Sequence, residues 1–153
     1  MNKLYIMIGV PGAGKSTWIK HYFAAAATKT AVISKDCIRY MIWGENYVFS
    51  ELTEPLVKDI TRESIKCAVD NGFNIIIDET NIRKACRESI KELVTDEYEI
   101  IYVVFRNTDT LDRRMINPKG YSRDEWDAVI KGMVNSMEWP GEKECDRLIN
   151  IYH

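Results

Sequence analysis

Apolar residues fall into two rhythms along this chain, and the rhythms take turns. Short, nearly unbroken apolar runs occupy Leu4–Ile8, Thr30–Ile33, Phe73–Ile77 and Glu99–Phe105. Runs of that length, rich in Ile and Val, read as strands buried on both faces of a parallel sheet. Helical spacing fills the intervals. Lys15 to about Ala27 predicts a helix with Ile19, Phe23 and Ala26 on one face. A second helix opens at or near Ser34 and runs to Trp43. Thr53, as N-cap with Pro55 in the first turn, begins a long helix that Asn71-Gly72 closes. Arg83–Thr95 and Thr108–Ile116 also read as helices, the latter broken by Asn117-Pro118-Lys119-Gly120. From about Ser122 to Met137 a further helix opens on a capping box, with Glu125 three residues after Ser122. No period holds between Gly44 and Leu52, which predicts a loop, and Arg147–Tyr152 is a candidate fifth strand.

Strands alternating with helices predict an α/β fold: a parallel sheet of four to five strands with helices on both faces. Ligands of such sheets bind beyond the carboxyl ends of the strands. The residues just past the first three strands are a glycine-rich loop, Lys35-Asp36 and Asp78-Glu79, so three polar clusters converge on one edge.

Composition narrows the class. The 153 residues suit one domain, residues 1–153, and 46% hydrophobic with 29% charged residues is ordinary for a globular chain. A net charge of -2 argues against a generally basic nucleic-acid coat and leaves a local basic stripe open. Cys37, Cys67, Cys86 and Cys145 form no CxxC pair, so reduced thiols in a cytoplasmic setting are expected rather than zinc or disulfides. The apolar N-terminal run is short and leads into a glycine turn, so neither a signal peptide nor a membrane span is expected. His21 and His153 have no partner pattern.

The glycine loop carries the strongest chemistry. Gly9-Val10-Pro11-Gly12-Ala13-Gly14-Lys15-Ser16 satisfies GxxxxGK[ST], with a strand before it and an amphipathic helix after it. Backbone N–H groups around Gly12, Ala13 and Gly14 can turn inward on phosphate oxygens, and the helix N-terminus adds a favourable dipole. Lys15 would reach the β- and γ-phosphates of ATP, Ser16 would bind Mg²⁺, and Thr17 suits a second phosphate contact. No NKxD tetrapeptide of the GTPase kind is present, and a helicase or transporter would need a longer chain. A small ATP-dependent phosphotransferase of P-loop kinase fold is the expectation.

Asp36 and Arg39 stand three apart at a helix start and face the same way. A carboxylate there can accept the proton of an attacking hydroxyl, and an arginine can hold the transferring phosphoryl group. The plainer alternative is a capping aspartate beside a solvated arginine.

These segments resemble a known family. Gly9 to Trp18, Ile33-Ser-Lys-Asp36-Cys-Ile-Arg39 and Ile77-Asp-Glu-Thr-Asn81 are similar to the kinase domain of phage-type polynucleotide 5′-hydroxyl kinases. The resemblance runs from Lys3 to about Met137. It implies transfer of the ATP γ-phosphate to the 5′-OH end of DNA or RNA, with Asp36 as general base and Arg39 on the acceptor side. It implies a helical lid at about residues 113–122 whose arginines clamp ATP phosphates. Arg114 is the first choice for the clamp, and Lys119 stands where the family has arginine. The family's metal-side carboxylate falls on Asp78 or Glu79; Asp78, at the strand end, is the better choice bottom-up. Thr80, Asn81 and Arg87, with Arg83 and Lys84 nearby, are candidates for contact with the acceptor. Tyr40, Trp43, Tyr47 and Phe49 are candidates for stacking on an unpaired base or for the core. No D-x-D-x-T motif for a companion phosphatase is present, so kinase activity alone is expected. The alternatives are a related kinase acting on a small metabolite, a nucleotide or a hydroxylated DNA base, and a nucleotide-binding regulatory module.

Overall fold

The computed structural model describes residues 1–25, 29–47 and 49–153. Five strands form one all-parallel sheet: β1 (Asn2–Ile8), β2 (Thr30–Ile33), β3 (Asn74–Ile77), β4 (Tyr98–Phe105) and β5 (Arg147–Ile151). The spatial order is β2-β3-β1-β4-β5. The candidate fifth strand is therefore real, and it forms one edge. Six helices connect the strands: α1 (Lys15–Ala25), α2 (Lys35–Trp43), α3 (Glu54–Asp70), α4 (Lys84–Lys91), α5 (Leu111–Arg114) and α6 (Arg123–Ser136).

The period of two along β1 divides the core. Leu4, Ile6 and Ile8 point to one face, where Ile65 and Ala68 of α3 and Ile90 of α4 cover them. Tyr5 and Met7 point to the other, beneath Ile19 of α1 and Ile130 of α6. Central strands can be apolar on both sides because helices remove both faces from water. Register continues the layers outward: Ile6 pairs with Ile77 on one side and Tyr102 on the other.

Local predictions differ from the structure in instructive places. The predicted end of α1, with Ala26 on its face, lies outside the described residues. Phe23 is exposed, and the packed face of α1 is Trp18, Ile19 and Tyr22 instead. Thr53 is the N-cap residue of α3 with Pro55 in the first turn, as expected, but its hydroxyl donates to the Ser50 carbonyl rather than capping the helix. The helix expected over Thr108–Ile116 shrinks to one turn, because Asn107 accepts from the Asp109 N–H and Thr110 turns to the glycine loop. Similarly α4 stops at Lys91, well before Thr95. The capping box at Ser122 forms as expected, with Glu125 N–H donating to Ser122 Oγ at 3.1 Å and Ser122 N–H to Glu125 at 2.7 Å. No described helix is long and apolar enough to cross a membrane.

Candidate functional site

The chain leaves β1 towards β2, returns to β3, then passes over β1 to β4, so its direction across the sheet reverses at β1. The carboxyl end of β1 is where such sheets open a crevice. A cleft of about 880 Å³ lies there, lined by the glycine loop, the starts of α1 and α2, the end of β3 and the segment 113–126.

The loop is built from backbone. Gly12 and Gly14 have φ of 79° and 102°, values that L side chains rarely adopt. A Cβ at Gly12 would also stand 2.9 Å from the Thr110 carbonyl oxygen, and one at Gly14 3.2 Å from the Arg113 guanidinium. Neighbouring segments pin the loop. Thr110 donates its hydroxyl to the Pro11 carbonyl at 2.7 Å, and Gly9 N–H donates to the Thr80 carbonyl at 3.0 Å. Lys15 Nζ donates to the Gly9 and Val10 carbonyls, each at 2.9 Å. Burial lowers its pKa to about 8, although Asp78 and Glu79 pull the other way.

Arg114 arches over this cradle from α5. Its guanidinium lies 4.3 Å from the centre of the Trp126 ring, and Trp126 is itself held by an indole N–H donated to the Pro118 carbonyl at 2.8 Å. Arg114 Nε and Nη2 are buried without a hydrogen-bond partner among the described residues. Burial lowers its pKa, against the pull of Asp36. Buried guanidinium donors left unpaired are unfavourable, and a phosphate is the group that satisfies them best. The glycine loop and these orphaned donors thus fit a nucleotide polyphosphate.

The donor set also fits Mg²⁺. Ser16 is exposed at the loop, and Asp78 lines the same cleft. Burial raises the Asp78 pKa, with Lys15 opposing, so its ionised form gains from a nearby cation. Mg²⁺ takes few protein ligands and shares the rest with phosphate and water. Glu79 is engaged otherwise: it accepts the Lys35 N–H, and burial pushes its carboxyl up to about 6.

On the opposite wall α2 presents Asp36 and Arg39. Ser34 caps this helix, accepting from the Cys37 N–H. Asp36 receives Arg39 Nη1 at 2.8 Å, Lys119 Nζ at 3.1 Å and the Tyr47 hydroxyl at 3.3 Å. Burial acts to raise its pKa, but the charges and hydrogen bonds of Lys119 and Arg39 bring it below the usual value. Arg39 is fixed from behind by Glu54, which accepts from Nε at 2.8 Å and lies 2.7 Å from Nη2. The plain alternative of a capping aspartate with a solvated arginine does not describe this network.

Three expected site residues stand elsewhere or do other work. Asn81 is buried, with φ of 44°, and its amide donates to the Met7 carbonyl at 2.8 Å. It ties β1 to the end of β3 rather than facing an acceptor. Arg87 is fully buried, donating to the Asn81 carbonyl at 3.0 Å and pairing with Glu144 at 3.2 Å. It cannot meet an acceptor phosphate, and its neighbours Arg83 and Lys84 do not line the cleft either. Lys119 lines the cleft, but its ammonium is on Asp36. Thr80 does line the cleft, as do Gly12, Ala13, Gly14, Ser16, Thr17, Tyr40, Tyr47 and Phe49; Trp43 does not.

Glu54 and Trp126 escaped the sequence reading as site residues, while Tyr47 stood there only as a stacking or core candidate and Arg113 only as part of the lid. Their only signal was acidic, aromatic or basic character beside turns, which surface residues share. Cys37, Cys67, Cys86 and Cys145 are free.

Comparison with known proteins fits this geometry. The chain is 28% identical over 148 residues to the L-seryl-tRNA(Sec) kinase of Methanococcus maripaludis, covering 92% of this chain and 54% of that protein. It therefore spans about half the length of that relative. Among solved structures, the Pnkp1/Rnl/Hen1 RNA repair complex contains a chain that superposes with a TM-score of 0.70 at 22% identity. That match covers 88% of this chain and 45% of the other. A gluconokinase from Sinorhizobium meliloti 1021 superposes at 0.61 with 13% identity, over 98% and 82% of the two chains. These structures share the fold. Residues 4–140 match the model of the AAA domain family AAA_33, and the chain belongs to that family, with a P-loop kinase fold.

Proposed function

We propose that this chain transfers the γ-phosphate of ATP to the 5′-hydroxyl end of a polynucleotide. One observation carries the reading: Asp36, held by Arg39 and Lys119, shares a cleft with the Lys15 and Arg114 cradle. A cradle alone would bind a nucleotide. A carboxylate on the facing wall supplies what an attacking hydroxyl needs.

In this reading the backbone N–H groups of Gly12 and Gly14 hold phosphate oxygens, with Thr17 adding a contact. The Ala13 N–H donates to the Val10 carbonyl at 3.3 Å and would have to turn from it to join them. Lys15 and Arg114 stabilise charge on the transferring group. Ser16 and Asp78 would hold Mg²⁺, which when bound neutralises phosphate charge. Asp36 is ionised at neutral pH and accepts the proton from the acceptor hydroxyl. Its lowered pKa makes it a weak base while Lys119 stays on it. Movement of Lys119 towards ATP phosphates, as part of a lid over residues 113–122, would remove one cation and strengthen the base. Arg39 holds the acceptor side, and Thr80 is the remaining acceptor contact from the β3 end.

The acceptor class is supported by the motif order Asp36-x-x-Arg39 followed by Asp78 to Asn81, and by a fold shared with a chain of an RNA repair complex. A second reading is a hydroxyl carried on a tRNA, favoured by similarity to the seryl-tRNA kinase along nearly the whole chain. Radiolabel transfer from ATP to 5′-OH oligonucleotides, mononucleotides, nucleosides, gluconate and seryl-tRNA separates these. Preferred labelling of 5′-OH oligonucleotides is expected. Labelling confined to seryl-tRNA or to a small molecule would sink the proposal.

A further inference from the structure

The acceptor wall has an unusual composition. Tyr40 lies one turn beyond Asp36 on α2, so both face the cleft. Gly44, with φ of 64°, then ends the helix and turns the chain back. The return brings Tyr47 against Tyr40, ring centres 4.7 Å apart and planes 30° from parallel, while the Tyr47 hydroxyl reaches Asp36. Phe49 continues the surface, with the Arg39 guanidinium 5.4 Å from its ring centre. Tyr40 remains 43% exposed and Phe49 50% exposed, although both are large and apolar. Water-facing aromatics of this size beside a reactive carboxylate are poorly explained as core.

Charge decides what these rings can take. The cations of this wall are already engaged: Arg39 with Asp36 and Glu54, Lys119 with Asp36. Asp36, Asp78 and Glu79 also face the cleft, so a second polyanion is not welcome on this side. A flat, uncharged group is. Its π-face can lie on aromatic rings without displacing any ion pair.

We infer that Tyr40, Tyr47 and Phe49 form a stacking wall for the unpaired base of the nucleotide that carries the acceptor hydroxyl. The inference rests on the polynucleotide-end reading above and adds how the end is held. The base lies on the rings, the hydroxyl reaches Asp36, and the strand's phosphates stay outside the acidic part of the cleft. Affinity for the acceptor then depends on a base at the terminal position and tolerates any of the four, since every base has a π-face.

Steady-state kinetics with two 5′-OH oligonucleotides test this, one ending in an ordinary nucleotide and one in an abasic tetrahydrofuran residue. In the wild type the abasic end should show a KM about tenfold higher. Tyr40→Ala and Phe49→Ala should each raise KM for the base-bearing end by a similar factor, leaving KM for ATP and kcat nearly unchanged. For the abasic end the same variants should add little, and Tyr40→Phe should retain wild-type KM. Equal KM for both ends in the wild type, or unchanged KM in both alanine variants, would overturn the wall while leaving the kinase reading intact. An enzyme that labels neither oligonucleotide would overturn that reading and the wall's occupant with it.

Discussion

The two walls of the cleft are made of different material. The cradle wall is backbone: glycines at positive φ and carbonyls that hold Lys15. The wall around Asp36 is side chain: one carboxylate joined to Arg39, Lys119 and Tyr47, with Glu54 behind. A backbone site tolerates little variation, because its geometry is set by φ, ψ and the space for a Cβ. A side-chain network can be re-spelled while its charge pattern persists. Phosphate is the same in every nucleotide, whereas acceptors differ, so the invariant material faces the invariant ligand.

Substitutions that act on one wall alone sharpen this contrast. The largest effect is expected at Gly12→Ala, where a Cβ meets the Thr110 carbonyl in a strained backbone. Calorimetric titration should find no ATP binding in a protein that still folds; wild-type affinity would refute the backbone account of the cradle. Next is Arg114→Ala, which removes donors that have no other partner. Transfer should fall on the order of 10²–10³-fold, as for loss of one preorganised donor, read from initial rates at saturating ATP.

Arg87→Ala should touch neither wall. It breaks a buried pair with Glu144, so urea denaturation should show a loss of about 3–5 kcal/mol. Acceptor KM in the folded protein should not move; a rise without destabilisation would return Arg87 to the acceptor site. The mildest probe is pH. Burial holds Lys15 near 8, and bound phosphates raise that value, so binding takes up a proton above pH 8. ATP affinity should change little just below pH 8, where Lys15 stays protonated, and fall by up to about tenfold per pH unit above it, with Lys15→Met flattening the fall.

What the sequence made legible follows the same division. The apolar runs that became β1, β3 and β4 were readable because burial on both faces leaves few residue types available. The glycine loop was readable because positive φ at Gly12 and Gly14 needs glycine. Asn81 and Arg87 were misread, since a polar residue after a strand looks alike whether it faces a ligand or ties the fold. Only the contacts with Met7 and Glu144, 74 and 57 residues away, decide between them. Phe23 failed for a related reason: period says what a residue can do locally, and tertiary packing chose Trp18 instead. Thr53 holds the N-cap position with its hydroxyl turned to the Ser50 carbonyl. Glu54 and Tyr47 lie 18 and 11 residues beyond Asp36, and no local rule joins them to it.

The central claim is that the two walls are halves of one transfer site, the second supplying a base to a hydroxyl. It is tested most directly by measuring ATP binding and phosphate transfer on the same preparation of Asp36→Ala. The account predicts wild-type ATP affinity with transfer reduced at least 10²-fold, in keeping with loss of a general base. Transfer at near the wild-type rate, with ATP binding intact, would contradict it.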